Sequence, residues 1–229
     1  MEKFEKGNEL YQAQDYQAAI EVYEGLLKDG KRSADLHYNL ANAYYRNREL
    51  ANAILHYEKA LKLEPSMEDA QHNLEFTNAK TVDKIENPPK IFFYRWWDSL
   101  IHTFSSKDWA QISILFVALF AISIGLYFFM AKANLKKLSF YLALSFFILF
   151  LLSWLFAAQN QKLMEESDYA IIMSPTININ SSPSEGSSKL FVLHEGTKVK
   201  LEGESGTWRE VSLPNGNKGW VRISALGEI

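Results

Sequence analysis

Two long apolar runs separated by a short basic segment constrain this chain more than any other feature of its sequence. Residues 109–131 contain no ionisable side chain other than Tyr127, and residues 138–161 contain only Tyr141. The runs are 23 and 24 residues long, and about 20 helical residues cross the ~30 Å hydrocarbon layer of a bilayer. Because a single segment in lipid satisfies its own backbone amides only as a helix, the sequence predicts two transmembrane helices that form a hairpin.

The intervening segment, residues 132–137, predicts which side of the membrane holds the hairpin tip. It carries three lysines and no acid, and short loops rich in Lys or Arg stay in the cytoplasm. Lys132, Lys136 and Lys137 are therefore predicted to determine a topology in which both flanking regions lie outside a bacterial inner membrane, in the periplasm. Because the given chain begins without an apolar export segment, we expect a cleaved signal peptide to be missing from it. The alternative is that both flanking regions are cytoplasmic.

Composition and motifs argue against several classes of function. A net charge of −3 provides no general attraction to nucleic acid, and the absence of cysteine excludes disulfides, thiol nucleophiles and Cys-based metal sites. The sequence contains no phosphate-binding loop, Gly-x-Ser-x-Gly elbow or dinucleotide fingerprint. Its histidines form no His-x-x-x-His pair. We therefore predict a protein without catalytic activity, cofactor or metal.

Residues 1–80 repeat with a period of 34, which resembles the tetratricopeptide repeat. The matching pairs are Gly7/Ala41, Leu10/Tyr44, Tyr16/Leu50, Ala19/Ala53, Ile20/Ile54, Tyr23/Tyr57 and Leu27/Leu61. The alanines are predicted to lie where helices approach closely, and the tyrosines to fill the wedge between helix pairs. Two full repeats are followed by one helix, about 2.5 repeats in all, and about three are normally needed for stability. We therefore expect marginal stability alone, or support from a partner.

The resemblance implies that the inner helices line a concave groove that binds peptides. Carried over by register, the groove residues are Asn8, Tyr11, Gln12, Asp35, Tyr38, Asn42, Tyr45, Arg46, Asp69 and His72. The alternative is that these are ordinary solvated positions. A C-terminal carboxylate is not expected as the ligand, because Phe4, Asp69 and Asn73 stand where the family's carboxylate clamp needs Lys or Arg.

Residues 81–108 are predicted to link the repeats to the membrane. Pro88 and Pro89 exclude a helix and stiffen the start of this segment. Tyr94, Arg95, Trp96 and Trp97 follow, and such side chains suit the half-wet headgroup boundary. We predict that they anchor the chain at the interface, with recognition of lipid or of a partner helix as the alternative. Transport is not expected, because no acidic or basic side chain occurs within the apolar runs.

Residues 169–229 are predicted to form a small β-barrel. The candidate strands are Ala170–Met173, Thr176–Asn180, Leu190–Leu193, Lys198–Gly203, Trp208–Ser212 and Gly219–Ile223, with a hairpin turn at Asn215-Gly216. The order of motifs resembles the bacterial SH3 domain. Trp208 and Trp220 either stack on a ligand or belong to the barrel core. His194 stands alone in a turn-like stretch and is interpreted as a bystander without a role, with a metal ligand as the alternative.

The complete order of segments resembles the Bacteroides aerotolerance (Bat) family, in its members that combine tetratricopeptide repeats, two transmembrane helices and an SH3 domain. The segments that carry this resemblance are residues 79–85, 95–97, 191–199 and 219–221. It implies a multidomain membrane scaffold, with an all-α solenoid, a transmembrane hairpin and a small all-β barrel. The implied partners are von Willebrand A-domain Bat proteins and a MoxR-type ATPase, in oxygen tolerance or envelope stress. The alternative function is a cell-wall sensor that binds peptidoglycan through the SH3-like domain.

Overall fold

The structure, a computed structural model, describes residues 2–85, 96–97, 100–101, 103–165 and 169–229, without the side chains of 162–165. The helices in these ranges are α1 (Glu2–Gln12), α2 (Tyr16–Lys28), α3 (Ala34–Arg46), α4 (Leu50–Leu63), α5 (Glu68–Asn78), α6 (Ser106–Phe129) and α7 (Ala133–Glu165). The strands are β1 (Tyr169–Ile172), β2 (Thr176–Asn180), β3 (Lys189–His194), β4 (Lys198–Ser205), β5 (Trp208–Ser212), β6 (Lys218–Arg222) and β7 (Leu226–Glu228).

Helices α1–α5 reproduce the 34-residue period in their backbone as well as in their side chains. Gln14 and Arg48, which are 34 residues apart, both adopt the left-handed conformation, with φ of 63° and 68°, so the turns α1–α2 and α3–α4 share one geometry. Ala19 and Ala53 are fully buried at the predicted close approaches. Tyr23 and Tyr57 are 1% exposed and fill the predicted wedge.

The C-terminal region forms an antiparallel sheet in the order β3-β2-β6-β5-β4-β1-β7. The six predicted strands are present, each bounded within two residues of its prediction, and Gly216 in the β5–β6 turn has the positive φ expected there. The seventh strand, which pairs with β1, was not predicted. The apolar side chains that form the core of the sheet include Ile172, Ile179, Val199, Val211 and Val221.

The helical array and the sheet belong to one compact unit, made of residues 1–89 and 167–229. Ile54 and Leu55 of α4 form a shared apolar cluster with Ile171 of β1, against which Met173 and Ile229 also pack. At the edges of this cluster, Lys62 Nζ donates to the Ile229 carbonyl at 2.8 Å, and Lys198 pairs with Glu58 at 2.7 Å. The sequence predicted support from a partner, whereas in the structure a sheet of the same chain packs against the short array.

Two residues of α4 that lie under the sheet differ from their counterparts in the preceding repeat. Gln17 and Glu21 of α2 are exposed, whereas their counterparts on α4, Ala51 and Leu55, are 5% and 8% exposed. An apolar side chain replaces a polar one where burial removes it from water. The next helix pair leaves Gln17 and Glu21 in water, whereas the sheet covers Ala51 and Leu55.

The first part of the predicted linker is docked onto the sheet. Asp83 accepts hydrogen bonds from the His194 backbone N–H at 2.7 Å and the Thr197 hydroxyl at 2.7 Å, and it pairs with His194 Nδ1 at 2.8 Å. We call this group of contacts the Asp83 latch. His194, for which the sequence predicted no role, therefore joins the two modules. Ile85 also packs against the core of the sheet.

The turn that the latch holds approaches α4 closely. Gly196 has φ of +85°, and a Cβ at this position would lie 2.9 Å from Thr81 Cγ2 and 3.0 Å from Ile54 Cδ1. Only glycine combines this backbone conformation with so little space. The β3–β4 turn is thus shaped to fit against the end of the helical array.

Residues 90–166 form the second compact unit, in which α6 and α7 are antiparallel. Ser106 Oγ donates to the Ala157 carbonyl at 3.1 Å near one end, and the rings of Tyr127 and Phe140 lie 6.5 Å apart near the other. The connection is shorter than the predicted loop, because α7 already begins at Ala133. Lys132 lies in the connection, whereas Lys136 and Lys137 lie at the start of α7.

Both helices are long and apolar enough to cross a membrane. Only 11% and 17% of the residues in their most apolar windows are buried, which distinguishes them from core helices of a soluble domain. Several small residues of the two helices are buried, among them Ser113, Ser123, Ser139, Ala143 and Ser153. Ser113, Ser123 and Ser153 donate to carbonyls of their own helices, so their hydroxyls remain satisfied away from water.

Candidate functional site

An asparagine–tyrosine ladder joins the inner helices α1, α3 and α5. The Asn8 side-chain oxygen accepts from the Tyr23 hydroxyl at 2.7 Å and from Asn39 Nδ2 at 3.1 Å. One repeat later, Asn42 accepts from the Tyr57 hydroxyl at 2.5 Å and from Asn73 Nδ2 at 3.0 Å. Asn8 and Asn42, both predicted groove residues, therefore use their carbonyl oxygens to hold neighbouring helices in register. Burial raises the pKa of Tyr23 to about 12, and its hydroxyl donates to Asn8.

Two cations lie against aromatic rings near the C-terminal ends of α3 and α5. Arg46 Nε donates to the Tyr16 hydroxyl at 3.1 Å, and its guanidinium carbon lies 5.5 Å from the centre of that ring. Lys80 Nζ lies 4.6 Å from the ring centres of both Tyr45 and Phe76 and bonds the Tyr45 hydroxyl. We call these five residues the aromatic–cation edge. Arg46 and Lys80 are exposed and one repeat apart, and Phe76 is 53% exposed.

The remaining predicted groove residues differ in exposure. Asp35 and Asp69 are exposed in the first turns of α3 and α5, where carboxylates complement the helix dipole. Gln12 and His72 are exposed as well, whereas Tyr11 and Tyr38 are half-buried. Helices α3 and α5 therefore each present an acidic side chain near their start. A cation lies at the end of α3 (Arg46) and just beyond the end of α5 (Lys80).

The structure brings together two histidines whose spacing gave no signal in the sequence. His37 of α3 and His56 of α4 stack with ring centres 5.2 Å apart, and their Nδ1 atoms lie 3.0 Å apart. Burial, with help from nearby Lys59, lowers the pKa of His37 to about 4 and that of His56 to about 3. Both rings are therefore neutral at physiological pH, and one donates its Nδ1 proton to the other.

This histidine pair makes the stability of the array sensitive to mild acid. As the pH falls from 6.5 to about 4, the two histidines take up protons in the unfolded chain but not in the folded one. Folding is therefore progressively disfavoured across this window, and the pair has no such effect above it. We expect His37→Phe/His56→Phe to lose less stability than the wild type between pH 7.5 and pH 4.5, as measured by urea denaturation at both values.

The matched control for this prediction is His72→Gln, because His72 is exposed. It should retain the pH dependence of the wild type. An equal loss of stability in the wild type and the double variant would contradict the assignment.

Trp208 and Trp220 lie outside the apolar core of the sheet. Strand alternation places them on the face opposite Val211 and Val221, which are buried in that core. Both tryptophans are partly exposed. Trp208 pairs in register with Arg222, whose guanidinium carbon lies 5.0 Å from the centre of its ring. Neither tryptophan therefore belongs to the apolar core of the sheet, and stacking on a ligand stays a prediction.

Of the predicted interfacial anchors, Tyr94 and Arg95 lie outside the described residues. Trp96 is exposed, and the ring of Trp97 meets that of Phe156 edge-on at 5.2 Å. The same end of the α6–α7 pair is fastened by Asn160, which is 1% exposed. Its Nδ2 donates to the carbonyls of Ile101 and Phe104 at 3.2 and 2.9 Å, which holds the segment before α6 against α7.

Within the part of the chain that the structure describes, no three or more His, Cys, Asp or Glu side chains are grouped to hold a metal ion. The asparagine–tyrosine ladder, the histidine pair and the Asp83 latch each join elements of the fold. The exposed candidates for binding are therefore the aromatic–cation edge and the tryptophan face.

The helical array has the sequence signature of a known repeat. Residues 4–68 match the family model described as "Tetratricopeptide repeat", which agrees with the 34-residue period and the paired helices. No curated protein matches the chain significantly. The N-terminal part of the protein thus contains tetratricopeptide repeats, and repeats of this kind suggest a protein-interaction scaffold.

Proposed function

We propose that this protein is a non-catalytic membrane scaffold that recruits a partner protein through the groove of its repeat array. The aromatic–cation edge is the observation that carries this proposal. Aromatic and Arg side chains dominate the binding energy of protein interfaces. Here they are partly exposed beside a floor of half-buried asparagines and tyrosines.

The proposal extends to the identity of the partner and the membrane. By resemblance to the Bat family, the partners are von Willebrand A-domain membrane proteins and a MoxR-type ATPase. The α6–α7 hairpin anchors the scaffold in a bacterial inner membrane, with the repeats and an SH3-like C-terminal module on the periplasmic side. The lysines at the hairpin tip support this orientation. Protease added to intact spheroplasts should then cleave the repeats and leave the tip intact.

The groove is tested by affinity purification of the full chain from mildly solubilised membranes. We expect recovery of a von Willebrand A-domain protein, with binding reduced about thirtyfold by Tyr45→Ala/Phe76→Ala, because removing interface hot spots costs about 2 kcal/mol or more. Leu190→Ala is the control, since Leu190 is exposed on β3, away from the array. Binding that is equally strong in the groove variant and the control would rule out this surface.

The second candidate function is a cell-wall tether, which the partly exposed Trp208 and Trp220 favour. Aromatic side chains beside an arginine form a surface on which a peptidoglycan stem can stack. If this candidate is right, the full chain in detergent should pellet with purified sacculi, and Trp208→Ala/Trp220→Ala should abolish pelleting. Pelleting by both proteins, or by neither, would reject this function without affecting the groove.

A further inference from the structure

The tip of the α6–α7 hairpin carries a concentrated positive charge. We define the tip patch as Lys132, Lys136 and Lys137, all of which are exposed. The α7 backbone connects two of them directly, because the Lys136 N–H donates to the Lys132 carbonyl at 3.1 Å. Lys132 and Lys136 are thus one helical turn apart, and like charges at this spacing repel.

Nothing within the hairpin sequence neutralises this charge. No Asp or Glu occurs between Asp108 and Glu165, two residues that stand at the end of the hairpin opposite the tip. The start of α7 increases the repulsion between the lysines and their surroundings, because the N-terminal end of a helix carries a partial positive charge. The one described favourable contact is weak, with Lys136 Nζ 5.9 Å from the centre of the Tyr127 ring. An anion that meets the patch must therefore come from outside the hairpin.

The surroundings of the patch indicate what kind of anion reaches it. Phe128 and Phe129 end α6 with 73% and 90% exposure, and Tyr141 on α7 is 64% exposed. Large apolar and aromatic side chains next to lysines are typical of the boundary between lipid tails and headgroups. A soluble acidic protein would leave these rings in water, whereas a lipid monolayer covers the rings and neutralises the lysines together.

We propose that the tip patch binds the phosphate groups of anionic phospholipids, so that the hairpin selects these lipids from the surrounding leaflet. This inference rests on the membrane placement proposed above. It goes beyond topology, because it assigns a lipid-binding site to three named side chains. Each lysine near an anionic leaflet contributes about a fivefold preference, or about a hundredfold for all three if their contributions add.

The test is a lipid competition on the full chain in detergent. Equimolar phosphatidylglycerol and phosphatidylcholine are added, and native mass spectrometry measures the ratio of the two bound lipids. We expect the wild type to favour phosphatidylglycerol, and Lys132→Gln/Lys136→Gln/Lys137→Gln to lose most of this preference. The corresponding triple Arg variant should retain it. The control Lys31→Gln/Lys189→Gln/Lys200→Gln removes the same charge from exposed positions on the other unit and should bind like the wild type.

Three results would overturn the inference: an unchanged lipid ratio in the Gln variant at the tip, an equal loss in the control variant, or displacement of phosphatidylglycerol by inorganic phosphate at matched ionic strength. The last result would identify a general anion site. Carbonate extraction of cell membranes distinguishes failure of the lipid inference from failure of the proposed function. A chain that resists extraction but shows no lipid preference keeps its membrane placement, whereas a chain that is released loses both.

Discussion

Asp83→Ala is expected to lower the free energy of unfolding of the unit formed by residues 1–89 and 167–229 by about 3 kcal/mol. Its carboxylate takes part in three hydrogen bonds with His194 and Thr197, and bonds to a charged group contribute about 1.5–3 kcal/mol each. The expected loss of stability is smaller than the sum of these contributions, because Asp83 and His194 are partly accessible to solvent. Water therefore replaces some of the lost contacts.

The latch also has a defined dependence on pH. Burial raises the pKa of Asp83, but hydrogen bonds from Thr197 and His194 outweigh it and lower that pKa below its ordinary value. The stabilisation is therefore complete above the ordinary Asp pKa and is lost as the pH falls through the lowered one. Asp83→Ala should differ from the wild type at pH 7 and converge with it in strong acid.

Urea denaturation and hydrogen exchange of the full chain in detergent measure this effect. Faster exchange is expected in α4 and α5 as well as in the β3–β4 turn, because the latch holds the sheet against the array. Glu75→Gln, which removes an exposed carboxylate from the middle of α5, should leave exchange unchanged. Faster exchange confined to the turn would mean that the latch stabilises only the sheet.

Ile171→Ala is expected to cost about 2–4 kcal/mol and to destabilise helices that lie more than a hundred residues away in sequence. Ile171 is fully buried where β1 meets Ile54 and Leu55 of α4. Truncation of a buried Ile to Ala removes favourable transfer energy and leaves a cavity. Because the cavity opens between the two modules, both should lose stability in a single transition.

The control for Ile171→Ala is Val192→Ala on the outer strand β3, where Val192 is 44% exposed. This variant should change stability by less than about 0.5 kcal/mol. Hydrogen exchange again provides the decisive measurement. If Ile171→Ala accelerates exchange in β1 but leaves α4 protected, the array is stable without the sheet and the modules are energetically independent.

Local periodicity was enough to predict most secondary-structure elements. The 34-residue period predicted the helix pairs and their buried Ala and Tyr positions, and alternation with turn residues predicted six strands. Strand β7 was not predicted because Leu226–Glu228 is short and contains a glycine. It therefore shows no alternation of apolar and polar side chains. The start of α7 was placed too late because the lysines were assigned to a loop, although Lys is a good helix former.

Local periodicity could not predict contacts between distant segments of the chain. Asp83 stands in a stretch whose prolines and charges resemble a linker, and its partner His194 is 111 residues away. The pair His37 and His56 likewise depends on how α3 and α4 pack. One usable signal existed, since Leu55 and Ala51 are apolar where the preceding repeat has Glu21 and Gln17. A break in an otherwise regular repeat marks a surface that the fold has buried.

The sheet that covers α4 also restricts where the array can grow. Repeat proteins ordinarily grow by duplication, because each new unit finds the same surface that its predecessor offered. Here β1 packs on α4 through Ile171, and the turn containing Gly196 fits against Thr81 and Ile54 without room for a side chain. A helix added at this face of α4 would have to displace the sheet, so the array cannot be extended there without rebuilding this contact.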